Sequence, residues 1–174
     1  METKVILPAK YPTVDGPIIF LAGPIQGADR WQDKAIEIIH KKDPNINIAC
    51  PRRPAWAPGE GDWMKDRTIR EQTEWETHFL NKASENGTIL FWLANEYEHL
   101  CHRGYGQATR FELGEWKAKH EQKNINLVVG FDDKFPGKNY IKQRLNDDCP
   151  NIITPNSLKE TCHEAIRLAR RQNI

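Results

Sequence analysis

Apolar residues in this chain of 174 residues fall into short continuous runs, separated by stretches with helical spacing. Pro17–Ala22 is one such run, ended by Gly23-Pro24, and Thr88–Ala94 is another. Neither alternates with polar positions, as expected for parallel strands covered on both faces. Asn47–Cys50 and Asn126–Gly130 read as two further strands, and Asn151–Thr154 as a brief fifth. Residues 1–16 contain prolines and mixed character, and read as an irregular lead-in. After the first run, Trp31, Ala35, Ile38 and Ile39 form an apolar stripe. Asp29 reads as the N-cap of this helix, with Gln32 as its capping-box partner, and Lys41-Lys42 suit its C-terminus. Asp66–Glu85 predicts a second helix, with Thr68 and Glu71 as a capping box. A third begins near Gln107, and Gly137–Asp147 predicts a short one. The last carries Leu158, Cys162, Ala165, Ile166 and Ala169 on one face, a plain packing stripe.

Strands alternating with helices predict an α/β protein with a doubly wound, parallel, five-stranded sheet, Rossmann-like or flavodoxin-like. The length suits one domain over residues 1–174 with a sizeable core. No internal repeat or low-complexity segment interrupts it.

Three places depart from plain packing. Residues 51–65 form a long loop with three prolines and two glycines, too broken for regular structure. Its Arg52, Arg53, Trp56 and Trp63 offer anion contacts and flat stacking faces; the alternative is a surface loop whose tryptophans plug the core edge. In the second helix, Ile69, Leu80 and Ala83 share a face, and Glu76 falls on that same face. An inward carboxylate is costly unless it is paired or used, so Glu76 is either a salt-bridge partner or a functional acid. The third place is Gly104–Trp116, which opens a helix after the Thr88–Ala94 strand. Glu112 then lies near a helix N-terminus at the strand C-terminal edge, where open α/β sheets bind ligands. The helix dipole there favours an ionised carboxylate, suited to nucleophilic attack; the alternative is a solvated surface Glu. Gly114 inside the same helix costs about 1 kcal/mol relative to Ala, which suggests close backbone packing or ligand approach.

Composition removes several classes. A net charge of +1 and a pI near 7.7 give no global field toward nucleic acid or membrane. The apolar runs are too short to span a bilayer, and Met1–Pro8 lacks a signal-peptide core, so a cytoplasmic protein is expected. Cys50, Cys101, Cys149 and Cys162 show no C-x-x-C spacing, and the six histidines form no set with metal spacing, so no metal is expected. There is no Walker A sequence, no G-x-G-x-x-G after the first strand and no G-x-S-x-G. Gly104-Tyr105-Gly106 is a weak dinucleotide signal, because Thr109 stands where the third glycine would fall. What remains is a pair of carboxylates, Glu76 and Glu112, and two carboxylates can break a glycosidic bond.

The chain resembles the nucleoside 2-deoxyribosyltransferases and the related nucleotide N-glycoside hydrolases. Three segments carry the resemblance: Ile19-Phe20-Leu21-Ala22-Gly23-Pro24-Ile25; Glu76 with Leu80 and Ala83, followed by an apolar strand; and Phe111-Glu112-Leu113-Gly114. It extends over roughly residues 18–130.

The resemblance implies a flavodoxin-like fold and a double displacement at the anomeric carbon. Glu112 would attack C1′ as the base leaves, and an acceptor base, or water, would resolve the glycosyl-enzyme. The family's helix acid is usually Asp; here it is Glu76, one methylene longer. Gly23, Pro24 and Ile25 match the loop lining the sugar and, in the hydrolases, the 5′-phosphate. Where the transferases commonly carry a second Asp shortly before the nucleophile, this chain has Gly106; where the hydrolases carry a phosphate-binding Ser, it offers Thr109. Arg52, Arg53 and Arg110 are the candidate phosphate contacts. The expected partners are a small-molecule nucleoside or nucleotide and a free base, with no cofactor, in a homo-oligomer. The alternatives are a nucleoside 5′-monophosphate hydrolase and a non-catalytic nucleotide-binding module.

Overall fold

The computed structural model describes residues 4–53, 55 and 68–171. Strand β1 (Val5–Ile6) and strand β2 (Ile18–Ala22) lead into helix α1 (Trp31–Lys42) and strand β3 (Asn47–Ala49). Helix α2 (Ile69–Glu85), strand β4 (Gly87–Leu93), helix α3 (Gln107–Lys123) and strand β5 (Leu127–Phe131) follow. Helices α4 (Lys138–Asp148) and α5 (Leu158–Arg171) close the chain. The five strands form one parallel sheet in the order β1-β3-β2-β4-β5. The α/β, doubly wound, flavodoxin-like arrangement expected from the sequence is therefore the one observed.

Both faces of the sheet are covered, which is why β2, β4 and β5 are buried at every position. Successive strand residues point to opposite faces. Phe20, Phe91 and Val129 turn to one side, against Trp75 and Phe79 of α2, Leu113 and Trp116 of α3 and Leu145 of α4. Leu21, Leu90 and Val128 turn to the other, against Ile39 of α1 and Cys162, Ile166 and Ala169 of α5.

Four expectations are corrected. The lead-in contains β1, which pairs Val5 with Ile48 and Ile6 with Ala49. The stretch after β1 is strapped down as well: Trp75 Nε1 donates to Lys10 O (3.0 Å) and Asn47 Nδ2 to Asp15 O (2.8 Å). Asn151–Thr154 is not a strand; it makes one parallel bridge, Val128 to Ile153, between Pro150 and Pro155, neither of which has an N–H to extend a ladder. Helix α1 begins one residue later than expected, at Trp31, with Arg30 as its uncapped N-cap position. Asp29 instead accepts from the Arg30 N–H (2.8 Å) and Lys34 Nζ (2.6 Å), and Gln32 is buried. Ile69, expected inward, is 83% exposed, because it lies at the first position of α2. The Thr68–Glu71 capping box of that helix is present as read.

Candidate active site

A cleft opens at the C-terminal ends of β2 and β4, the two strands between which the winding direction of the sheet changes. Its floor is the loop leaving β2: Gly23, Pro24, Ile25 and Gln26 all line it. Helix α1 holds this loop by its backbone. Trp31 Nε1 and Gln32 Nε2 both donate to Pro24 O, at 2.9 and 3.4 Å. Gly23 has φ +153°, and a Cβ there would meet the Trp92 carbonyl oxygen and, at 2.7 Å, the Trp31 ring. Only glycine fits.

Two acids enter the cleft from helices that flank β4, Glu76 from α2 and Glu112 from α3. Glu76 sits one turn beyond Gln72, whose Nε2 donates to Glu76 Oε1 at 2.9 Å. Burial pushes the Glu76 carboxyl up, and the Gln72 bond offsets part of that rise. Glu112 makes no hydrogen bond or ion pair with any described residue. Burial, then the nearby charges of Glu76 and Glu115, push it up to about 8. The expectation that Glu112 stays ionised is thus corrected. It lies in the second turn of α3, past the reach of the helix dipole, while desolvation and a like charge act on it directly.

The start of α3 is fixed by the preceding turn. The Tyr105 hydroxyl lies 2.8 and 2.7 Å from the carbonyls of Ala94 and Asn95, tying this turn to the end of β4. Gly106 then takes the left-handed conformation (φ 65°, ψ 25°) at the N-cap position, where side chains are rarely accommodated. Gly106 and Thr109 both line the cleft, and Thr109 is buried with no hydrogen bond from its hydroxyl to a described residue.

Arg52 and Arg110, two of the expected contacts, do not line the cleft. Arg52 Nη1 donates to Asp29 O (3.0 Å) and Ala28 O (3.5 Å), which locks the guanidinium beside α1. Arg110 is likewise engaged, donating to Tyr105 O and, at 2.8 Å, Pro136 O, with its guanidinium over the Phe135 ring. Trp56 and Trp63 lie outside the described residues. Gly114 meets neither backbone nor side chain within 4 Å of a Cβ position, so close packing does not explain it. It borders a separate groove of about 460 Å³ between α3 and α4, lined by Leu113, Tyr140, Ile141 and Leu145 and by no carboxylate.

Conversely, Gln26, Pro51, Gln72, Arg103 and Gln107 line the cleft and were not singled out in the sequence. Gln72 had a usable signal: it stands four residues before Glu76, on the same helix face. Arg103 had none, because a loop residue's direction is set by the turn that follows it. Its guanidinium makes no hydrogen bond or ion pair with a described residue.

Against this geometry, a family model described as nucleoside 2-deoxyribosyltransferase like matches residues 16–131. The chain belongs to that family. The match contains the cleft floor and both acids but stops before α4 and α5. Among curated proteins, no sequence matches this chain. Membership in the nucleoside 2-deoxyribosyltransferase-like family carries that kind of function in general form, with nucleosides and bases as the small molecules concerned. Among the described residues, no group of three or more His, Cys, Asp or Glu is placed to hold a metal ion, and no helix is long and apolar enough to cross a membrane.

Proposed function

We propose that the protein cleaves the N-glycosidic bond of a (deoxy)nucleoside through a covalent glycosyl-Glu112 intermediate and transfers the sugar to a second base. The observation that carries this reading is the meeting of Glu76 and Glu112 in one cleft, close enough that the charge of Glu76 raises Glu112. Two coupled carboxyls hold a single proton over a broad pH range. In the productive arrangement that proton sits on Glu76. A Glu112 oxygen then attacks C1′, the C1′–N bond breaks, and its electron pair goes to the base nitrogen, which takes the proton from Glu76. The acceptor base attacks C1′ in turn, the C1′–O bond to Glu112 breaks, and Glu76 recovers a proton from the acceptor. The Gly23–Gln26 loop and Thr109 would hold the sugar.

A specific observation favours a second reading. Arg103 brings to the cleft a guanidinium with no hydrogen bond or ion pair to a described residue, which suits a 5′-phosphate and therefore a nucleoside 5′-monophosphate, with water resolving the intermediate. In either case we read residues 1–174 as one domain. It would act in the cytoplasm as a homo-oligomer, without a cofactor, on small molecules rather than on nucleic acid or membranes. The near-zero net charge supports small-molecule partners over nucleic acid or membranes.

Chromatography of the protein with deoxynucleosides and their 5′-monophosphates, each with and without free acceptor base, tests the proposal. A new nucleoside formed only with acceptor is the expected result. Base release regardless of acceptor, strongest from monophosphates, would install the hydrolase reading. If no bond is cleaved, the binding-module reading takes over.

The shared proton also predicts a bell-shaped pH dependence of kcat/KM. Its alkaline limb should lie near 8, where the last proton leaves the pair, and its acid limb above the ordinary carboxyl value of 4.5. A rate that climbs through pH 8 to a plateau would mean that Glu76 supplies no proton.

A further inference from the structure

We propose that Gln72 reads the leaving base, and that it selects bases bearing an exocyclic amine over those bearing a carbonyl at the same place. This rests on the reading above, in which Glu76 marks the base end of the cleft.

Gln72 lines the cleft one helical turn before Glu76 and donates Nε2–H to Glu76 Oε1 at 2.9 Å. That bond orients a planar group with two unlike ends: the amide nitrogen is committed to the carboxylate, and the amide oxygen is directed elsewhere. Gln72 Oε1 has no partner among the described residues, and neither does Glu76 Oε2. Turning the amide over would set its carbonyl oxygen against Glu76 Oε1, which accepts whether Oε2 carries the proton or not, and would lose that bond, so the orientation holds.

The wall made by these two side chains therefore offers acceptors side by side. An exocyclic amine, as on adenine or cytosine, has two N–H groups and can satisfy both. A carbonyl in its place, as in hypoxanthine or uracil, faces Gln72 Oε1, which accepts and never donates whatever the protonation state of Glu76, and the two oxygens are left unpaired. The selection survives proton transfer. When Glu76 is protonated, its O–H serves a ring nitrogen while Gln72 Oε1 still accepts from the amine. Stabilisation of α2 by an i,i+4 pair is the competing role for Gln72, and it would leave base preference untouched.

The test is kcat/KM of the full chain on deoxyadenosine against deoxyinosine and deoxycytidine against deoxyuridine, with the 5′-monophosphates run in parallel, for the parent and Gln72→Met. The parent is expected to favour the amino member of each pair by about tenfold or more, and the variant to bring both ratios near unity. Calorimetric titration of the parent and variant with free adenine and free hypoxanthine gives a readout independent of turnover. Cleavage without amino preference, or a preference unchanged in Gln72→Met, overturns the inference and leaves the proposed reaction standing. No cleavage, but tighter adenine binding that Gln72→Met abolishes, upholds base reading and removes Glu112 as nucleophile. Neither cleavage nor base binding overturns both. If Gln72→Met fails to fold, the parent's own ratios still decide.

Discussion

Replacing Glu112 with glutamine is expected to lower turnover by about three orders of magnitude or more, the scale of loss seen when a covalent nucleophile is removed. The same change is expected to stabilise the fold. Glu112 is held up to about 8 in the folded chain, against 4.5 for an ordinary glutamate. Between those values the folded state retains a proton that the unfolded state has released, so parent stability falls as pH rises. A neutral amide of nearly the same shape removes that dependence. The Glu112→Gln protein should therefore match the parent near pH 4.5 and exceed it progressively toward pH 8, where the gain reaches about 2–4 kcal/mol. Melting curves at several pH values, beside activity at the optimum, check both halves. A stability difference that does not vary with pH would mean that the carboxyl is not held protonated by its surroundings. Retained turnover would remove Glu112 from the nucleophile's role.

Gly23→Ala carries the second large effect. The added methyl would be driven into the Trp92 carbonyl oxygen and the Trp31 ring, at a backbone conformation (φ +153°) that side chains rarely adopt. Neither neighbour can yield: Trp92 is in β4, an interior strand paired on both sides, and Trp31 is buried with its Nε1 bonded to Pro24 O. The expected cost is about 2–4 kcal/mol, since overpacking and backbone strain act together. The loop that floors the cleft must move with it, so activity should fall more than folded fraction alone accounts for. Denaturant unfolding and kcat/KM on the same preparation check this. An alanine variant with parent stability would show that the loop can shift as a body without disturbing the sheet.

Strands β2 and β4 were legible because burial on both faces leaves an unbroken apolar run that needs no context to interpret. The capping box of α2 was legible for the opposite reason, since Thr68 and Glu71 are purely local chemistry, although the helix starts at Ile69 and not at the expected Asp66. What escaped depends on partners distant in sequence. Two residues become β1 only because β3 offers a free edge, and Ile153 fails to extend a strand because prolines flank it. The site divides in the same way. Glu76 and Glu112 could be found, since a carboxylate on an inward stripe and a family motif are both written in the chain. The protonation of Glu112 could not, because it depends on how much water the fold removes from it and on which charge the fold brings beside it. Nor could sequence show that Arg52 and Arg110 are occupied with backbone carbonyls while the Arg103 guanidinium has no partner among the described residues.

The way the cleft floor is fastened bears on how specificity can drift. Trp31 and Gln32 grip the loop through the carbonyl of Pro24, a group every amino acid carries, rather than through the side chains of the residues that line the cleft. Ile25 and Gln26 are thus like facing on a fixed mounting. Natural variation at those two positions can retailor what the floor touches while the acids, carried on separate helices, keep their separation. A lineage built this way can change its preferred ligand in small surface steps without first rebuilding its chemistry.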